Sequence, residues 1–111
     1  MSAPQEGWVR VAAVGEIPEG SAIAVRVKDR EIALYHVEEG GFYATENVCT
    51  HEYAQLSEGW LEGYEIECPL HAGRFDVRTG KALCPPVEEN VRTCEVRIEK
   101  SDVFIKVSPP K

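Results

Sequence analysis

The sequence predicts an all-β protein, a sandwich or barrel of short antiparallel strands in one domain of 111 residues. Three observations lead to this fold class. Apolar residues mostly alternate with polar ones, which is the two-residue period of strands. Clusters of Pro, Gly and Glu interrupt the alternation at short intervals. No stretch of ten or more residues repeats with the 3.6-residue period of a helix, so we expect little helix.

The alternation predicts nine strands. They cover residues 9–12, 22–27, 31–37, 42–45, 60–61, 65–67, 74–76, 92–99 and 103–107. The two glycines after Glu39 provide positive φ for a hairpin between the third and fourth strands. A short turn that begins at Lys100 joins the last two strands.

Strand candidates become sparse between Thr45 and Val91, and three of the four cysteines lie in that stretch. We therefore expect a smaller subdomain carried on a β base. The predicted organisation is a single domain over 1–108, with a base from 1–45 and 91–108, a subdomain over 46–90 and a flexible tail at 109–111.

Charge and composition exclude several classes of function. Twelve Lys and Arg against nineteen Asp and Glu give a net charge of −7, which argues against nucleic-acid binding and favours partners with basic surfaces. No apolar run approaches the ~20 residues of a membrane-spanning helix, and no signal peptide is evident. We expect a cytoplasmic protein, a monomer, whose four cysteines are metal ligands or buried thiols and not disulfides.

Two short segments each carry one cysteine and one histidine. Cys49 and His51 are separated by one residue, Cys68 and His71 by two, and sixteen residues lie between the pairs. A Rieske-type 2Fe-2S cluster has one iron held by two thiolates and the other by two imidazoles. One Cys/His pair in each of two facing loops meets that need, so the spacing predicts such a cluster. The alternatives are no metal, or a structural zinc site, whose ligands usually separate into a Cys pair and a His pair.

The residues from 66 to 87 extend this motif. Ile-Glu-Cys-Pro-Leu-His is followed by Gly-Arg-Phe-Asp-Val and then by Thr-Gly-Lys-Ala-Leu-Cys. With these segments the chain resembles, over almost its whole length, the soluble Rieske-type ferredoxins of naphthalene-dioxygenase-like aromatic-ring-hydroxylating systems. The resemblance implies the Rieske fold, an antiparallel β-sandwich or barrel base with a smaller cluster-binding subdomain.

The resemblance also implies roles for the ligands and for the chain. Cys49 and Cys68 would bind the buried iron, and His51 and His71 the outer iron near the surface. The chain would be an electron carrier and not an enzyme. It would pass single electrons from an NAD(P)H-dependent flavoprotein reductase to a terminal oxygenase, which selects the aromatic substrate. A small subunit of a nitrite-reductase-like complex and a zinc-stapled interaction domain stay as alternative functions.

Several positions predict a low reduction potential. High-potential relatives carry Ser and Tyr hydroxyls where this chain has Gly73 and Phe75, and such donors to the sulfurs favour the reduced cluster. Ala54 and Leu70 stand where respiratory relatives have extra cysteines, so no disulfide ties the two loops together. Residues 31–73 contain nine glutamates and no Lys or Arg, and a negative neighbourhood opposes the added electron.

The acidic run has two interpretations, a solvated surface that keeps the protein soluble or a docking surface for a basic partner. Trp60 lies within it, and the two-residue alternation does not decide whether its side chain is in the core or near the docking surface. Glu52 and Tyr53 follow the first histidine where many relatives have Gly, which bears on which partner docks.

Other reactive or charged side chains are expected to have structural roles. His36 has no cysteine partner nearby, so we do not predict it to be a ligand. Cys94 alternates with apolar residues and is expected to be a buried small hydrophobe, and Cys84 is expected to pack in a loop. Arg74 and Asp76 are expected to pair with each other across the second loop.

Overall fold

The computed structural model describes residues 7–38, 41–48, 54–69, 73–84 and 89–106. The strands are β1 (Trp8–Ala13), β2 (Ser21–Val27), β3 (Arg30–His36), β4 (Phe42–Glu46), β5 (Trp60–Glu62), β6 (Glu65–Glu67), β7 (Arg74–Asp76), β8 (Ala82–Cys84), β9 (Thr93–Glu99) and β10 (Asp102–Lys106). Two 3-10 helices of three residues each, Val14–Glu16 and Leu56–Glu58, complete the described elements. Among these residues no helix is long and apolar enough to cross a membrane.

The predicted strands agree with the observed ones to within one residue at each described end. Val107, the predicted end of the last strand, lies outside the described residues. The strand β8 was missed because its three residues are all apolar and show no alternation. Both 3-10 helices were missed because three residues are too few to show a helical period. The β7–β8 pairing is also irregular, since its register shifts between Arg74 and Phe75.

The strands form two antiparallel sheets. The large sheet has the order β1-β10-β9-β4-β3-β2, and the small sheet is the simple meander β5-β6-β7-β8. The chain leaves the large sheet after β4, forms the whole small sheet and returns to the large sheet at β9. The first and last strands are neighbours, with Trp8 opposite Lys106.

The strand β3 is buried on both faces because it separates two hydrophobic clusters. Ile32 and Leu34 pack into a cluster enclosed by the large sheet. Ala33 and Tyr35, on the opposite face, pack into a second cluster shared with the small sheet. A continuous apolar run is typical of a strand covered on both sides. This second hydrophobic cluster packs the small sheet against the large sheet.

Candidate metal centre

Cys68 is the predicted ligand whose placement the structure describes, since Cys49, His51 and His71 lie outside the described residues. Cys68 follows β6 directly and is fully buried in the second cluster, together with Ile66 and Phe75. Its backbone N–H donates to the carbonyl oxygen of Gly73 at 2.7 Å. This hydrogen bond joins the two ends of the segment that contains the second Cys/His pair.

The segment that contains the first pair is also joined at its two ends. Val48 and Gln55 form an isolated antiparallel bridge. The backbone N–H of Leu56 donates to the carbonyl oxygen of Asn47 at 2.6 Å. Ala54 and Leu56, which follow this segment, pack in the same hydrophobic cluster as Cys68. The ends of the two Cys/His segments therefore meet around one core.

Asn47 is a fully buried polar residue at the start of the first segment. Its Oδ1 accepts a hydrogen bond from the backbone N–H of Ser57 at 2.8 Å. That contact fixes the orientation of the amide, because a backbone N–H needs an acceptor and cannot face Nδ2. The Nδ2 atom has no hydrogen-bond partner among the described residues. The sequence interpretation missed Asn47, which directly follows β4 and stands two positions before Cys49.

The donor set fits a Rieske-type cluster. Each of the two segments contains one cysteine and one histidine, which together would give the two thiolates and two imidazoles of such a cluster. Within the described ranges, no other group of three or more His, Cys, Asp or Glu side chains is arranged to hold a metal ion. Ala54 and Gly73, predicted from the resemblance to stand near the centre, are both buried at the ends of these segments.

The predicted pairing of Arg74 with Asp76 is wrong. Asp76 binds Arg78 instead, through Oδ2 and Nη2 at 3.0 Å, and this hydrogen bonding lowers the pKa of the Asp76 carboxyl. Arg74 lies opposite Glu67 on the neighbouring strand. Its guanidinium contacts three carboxylates, those of Glu62 at 3.4 Å, Glu65 at 3.1 Å and Glu67 at 2.9 Å.

These contacts keep Arg74 positively charged. The hydrogen bond with Glu65 is the largest of the effects that raise the pKa of its guanidinium. Three carboxylates around one guanidinium leave an excess of two negative charges beside the strand that leads into Cys68. Three glutamates of the acidic run predicted from the sequence therefore lie on the small sheet.

The other sequence candidates have structural environments. The Nδ1–H of His36 donates a hydrogen bond to the carbonyl oxygen of Ile17 at 2.7 Å, and the imidazole ring stacks on Phe42. No disulfide joins Cys84 to Cys94. Cys94 is half-buried against the first cluster, and desolvation raises the pKa of its thiol to about 11. A thiol that stays protonated at neutral pH is a poor metal ligand.

Comparison with known proteins identifies the family of the chain. The model of the Rieske [2Fe-2S] domain family matches residues 7–95. The ferredoxin component of the naphthalene 1,2-dioxygenase system of Pseudomonas aeruginosa is 55% identical over 103 residues, which span 93% of this chain and 98% of that relative. This likeness confirms the resemblance found in the sequence.

Solved structures give the same result for the fold. A chain of the complex of reduced oxygenase and oxidized ferredoxin in carbazole 1,9a-dioxygenase matches with a TM-score of 0.84 and 38% identity, covering 92% of this chain and 94% of that one. The putative NADH-dependent nitrite reductase small subunit from Mycobacterium tuberculosis matches with a TM-score of 0.84, covering 93% of this chain and 96% of that one, but is only 17% identical. The second likeness establishes a shared fold and no more.

Proposed function

The chain belongs to the Rieske [2Fe-2S] domain family, and from that premise we propose that it is the ferredoxin of an aromatic-ring-hydroxylating dioxygenase system. The observation that carries the proposal is that the likeness extends over nearly the whole length of a ferredoxin component. The chain is therefore an electron-transfer component and not the enzyme that acts on the aromatic substrate. Membership of the [2Fe-2S] family also favours the cluster over the zinc alternative.

We propose that Cys49, His51, Cys68 and His71 hold the cluster. When bound, a Rieske cluster accepts and releases one electron at a time. Cys68 is buried in the second hydrophobic cluster, which excludes water from its thiolate. Each ligand-bearing segment is joined at its own two ends, and residues at the ends of both segments pack in one hydrophobic cluster. The described residues thereby supply an apolar base for the metal site.

The partners follow from this role. An NAD(P)H-dependent flavoprotein reductase would supply the electron, and a terminal oxygenase would receive it. The solved relative held in a complex with its oxygenase supports the second of these partners. We further propose that the chain is a monomer in the cytoplasm, in keeping with its small size and its unpaired Cys94.

We also propose the division of the chain predicted from the sequence. In that proposal a single domain spans 1–108, residues 46–90 form the cluster-binding subdomain, residues 1–45 and 91–108 form the base, and 109–111 are a tail. The support is that the strands of the small sheet lie within 60–84, whereas those of the large sheet lie within 8–46 and 93–106.

The function is tested by reconstitution. The purified chain is combined with a reductase and an oxygenase of the naphthalene dioxygenase type, NADH and naphthalene, and the dihydrodiol product is measured. We expect product to form only when all three proteins are present. The Cys68→Ser variant should not replace the wild-type chain. The control is a wild-type preparation that contains its iron. If adding this preparation did not increase product formation, the proposed function would be wrong.

The midpoint potential of the protein should lie at the low end of the Rieske range, about −150 mV. Phe75 is fully buried and Gly73 has no side chain, so neither position offers a hydroxyl to a sulfur. The excess carboxylates around Arg74 oppose the added negative charge. A redox titration followed by electron paramagnetic resonance measures the potential. A midpoint above about +100 mV would show that this account of the low potential is wrong.

A further inference from the structure

The outer face of the small sheet is the one that points away from the core. Because strand side chains alternate, Leu61, Ile66 and Phe75 pack inward. The residues between them form the outer face, which comprises Trp60, Glu62, Glu65, Glu67, Arg74 and Asp76. On this face no described element packs over the indole of Trp60, and 61% of that residue is exposed.

Trp60 is the most exposed large hydrophobic side chain among the described residues. It lies on β5, the edge strand of the small sheet, opposite Glu67. Since Glu67 directly precedes Cys68, the exposed indole is one strand away from a proposed ligand. Tryptophan is the side chain that most often anchors a protein interface, because it buries a large apolar area at a small cost in rotamer entropy.

The charges beside Trp60 indicate what it would contact. Arg74 is shared among three carboxylates, so two negative charges on this face are not compensated. Asp76 is paired with Arg78 and adds no excess charge. The side chain of Glu62 is 78% exposed and is on the same strand and the same face as Trp60. The contact with Glu62 is the longest of the three that Arg74 makes, at 3.4 Å, and this glutamate belongs to a group with excess negative charge. An exposed indole beside such a carboxylate is complementary to a guanidinium or ammonium group, which stacks on the ring and pairs with the carboxylate.

We propose that the outer face, with Trp60 at its edge, is the surface on which the terminal oxygenase docks. The contact would be made by an arginine or lysine of the oxygenase that stacks on Trp60 and pairs with Glu62. This inference rests on the proposed function, and we assign the face to the oxygenase because a relative of this chain is held in complex with that component. A metal ion is a poor alternative occupant, since it would leave the apolar indole uncovered.

The test compares Trp60→Ala with Ile98→Ala. Ile98 is 41% exposed on β9 of the large sheet and is a matched apolar surface control. Two assays separate the partners. Oxygenase turnover needs reductase, ferredoxin and oxygenase, whereas in cytochrome c reduction cytochrome c accepts the electron and the oxygenase is left out. We expect Trp60→Ala to raise the KM for ferredoxin about tenfold in oxygenase turnover and to leave cytochrome c reduction unchanged. Ile98→Ala should alter neither.

Two further variants test the chemistry of the contact. Trp60→Phe keeps an aromatic ring and should recover most of the affinity. Glu62→Gln should raise the KM at low ionic strength, and the difference from wild type should shrink at high salt, because exposed charges are screened. The visible spectrum of each variant, and the midpoint potential of the two Trp60 variants, should equal those of wild type, which shows that the metal cluster is intact.

Three results would overturn the proposal. They are an unchanged KM in the Trp60→Ala protein, an equal rise in the Ile98→Ala protein, and a rise confined to cytochrome c reduction, which would assign the face to the reductase. In each case the wild-type chain still supports turnover, so the proposed function stands. Absence of turnover with the wild-type chain would instead refute the proposed function, and the inference with it.

Discussion

Replacing Cys68 with serine should abolish the visible absorption of the purified protein and release its iron. Serine is nearly isosteric with cysteine, but its hydroxyl is not deprotonated at neutral pH and does not replace a thiolate in a Rieske cluster. Because Cys68 is fully buried, no exposed side chain can take its place. Iron content and the absorption spectrum of protein purified without reconstitution measure the effect, and Cys49→Ser should behave in the same way.

The remaining cysteines provide the matched controls for this experiment. Cys94→Ser and Cys84→Ser should keep the iron and colour of wild type. Burial raises the pKa of the Cys94 thiol to about 11, so it is protonated at neutral pH. Cys84 lies on β8 opposite Arg74, outside both Cys/His segments. Iron retained by Cys68→Ser, or lost from Cys94→Ser, would show that the proposed ligand set is wrong.

Replacing Gly59 with alanine should destabilise the protein by about 3 kcal/mol, the upper part of the range for overpacked sites. An added Cβ at Gly59 would overlap the backbone carbonyl oxygen of Glu67. That oxygen belongs to the backbone of β6 and cannot move aside by a rotamer change. Relief requires β5 to shift away from β6, next to Cys68. Thermal unfolding of the iron-containing protein, followed by circular dichroism, should show a Tm lowered by more than ~10 °C.

Gly15→Ala is the control for the effect of adding a methyl group to the chain. Nothing lies within 4 Å of a Cβ added at Gly15, and its φ is not in the left-handed region. The substitution should change the free energy of unfolding by less than about 1 kcal/mol. Equal Tm values for the Gly59→Ala and Gly15→Ala proteins would contradict the steric argument.

The sequence was sufficient to predict most strands, because two-residue alternation is a local property. It also predicted that His36 has a structural role and that the Cys/His spacing indicates a [2Fe-2S] cluster. Residues such as Ile32 and Leu34 reveal a buried strand without any knowledge of its partners. The strand β8 was not recognised, because its three residues are all apolar and show no alternation with polar ones.

The contacts of Arg74 could not be predicted from the sequence, because they depend on how the strands pair. Its nearest oppositely charged residue in the chain is Asp76, and that proximity led to the incorrect pairing. The register of β6 against β7 instead places Glu67 directly opposite Arg74. A salt bridge between strands follows from register, which is set by long-range packing. The burial of Asn47 was missed for the same reason, since Ser57 reaches it only in the folded chain.

The order of strands in the large sheet has a consequence for how the chain is made. The small sheet and the β2-β3-β4 meander join segments that are adjacent in sequence, so they can form as soon as they are synthesised. The strand β1 is different, because its only partner in the sheet is β10, at the other end of the described chain. Closing so long a loop is slow, and an unpaired strand edge is prone to aggregation. During synthesis β1 therefore stays unpaired until β10 has left the ribosome, which happens after every other described strand has emerged.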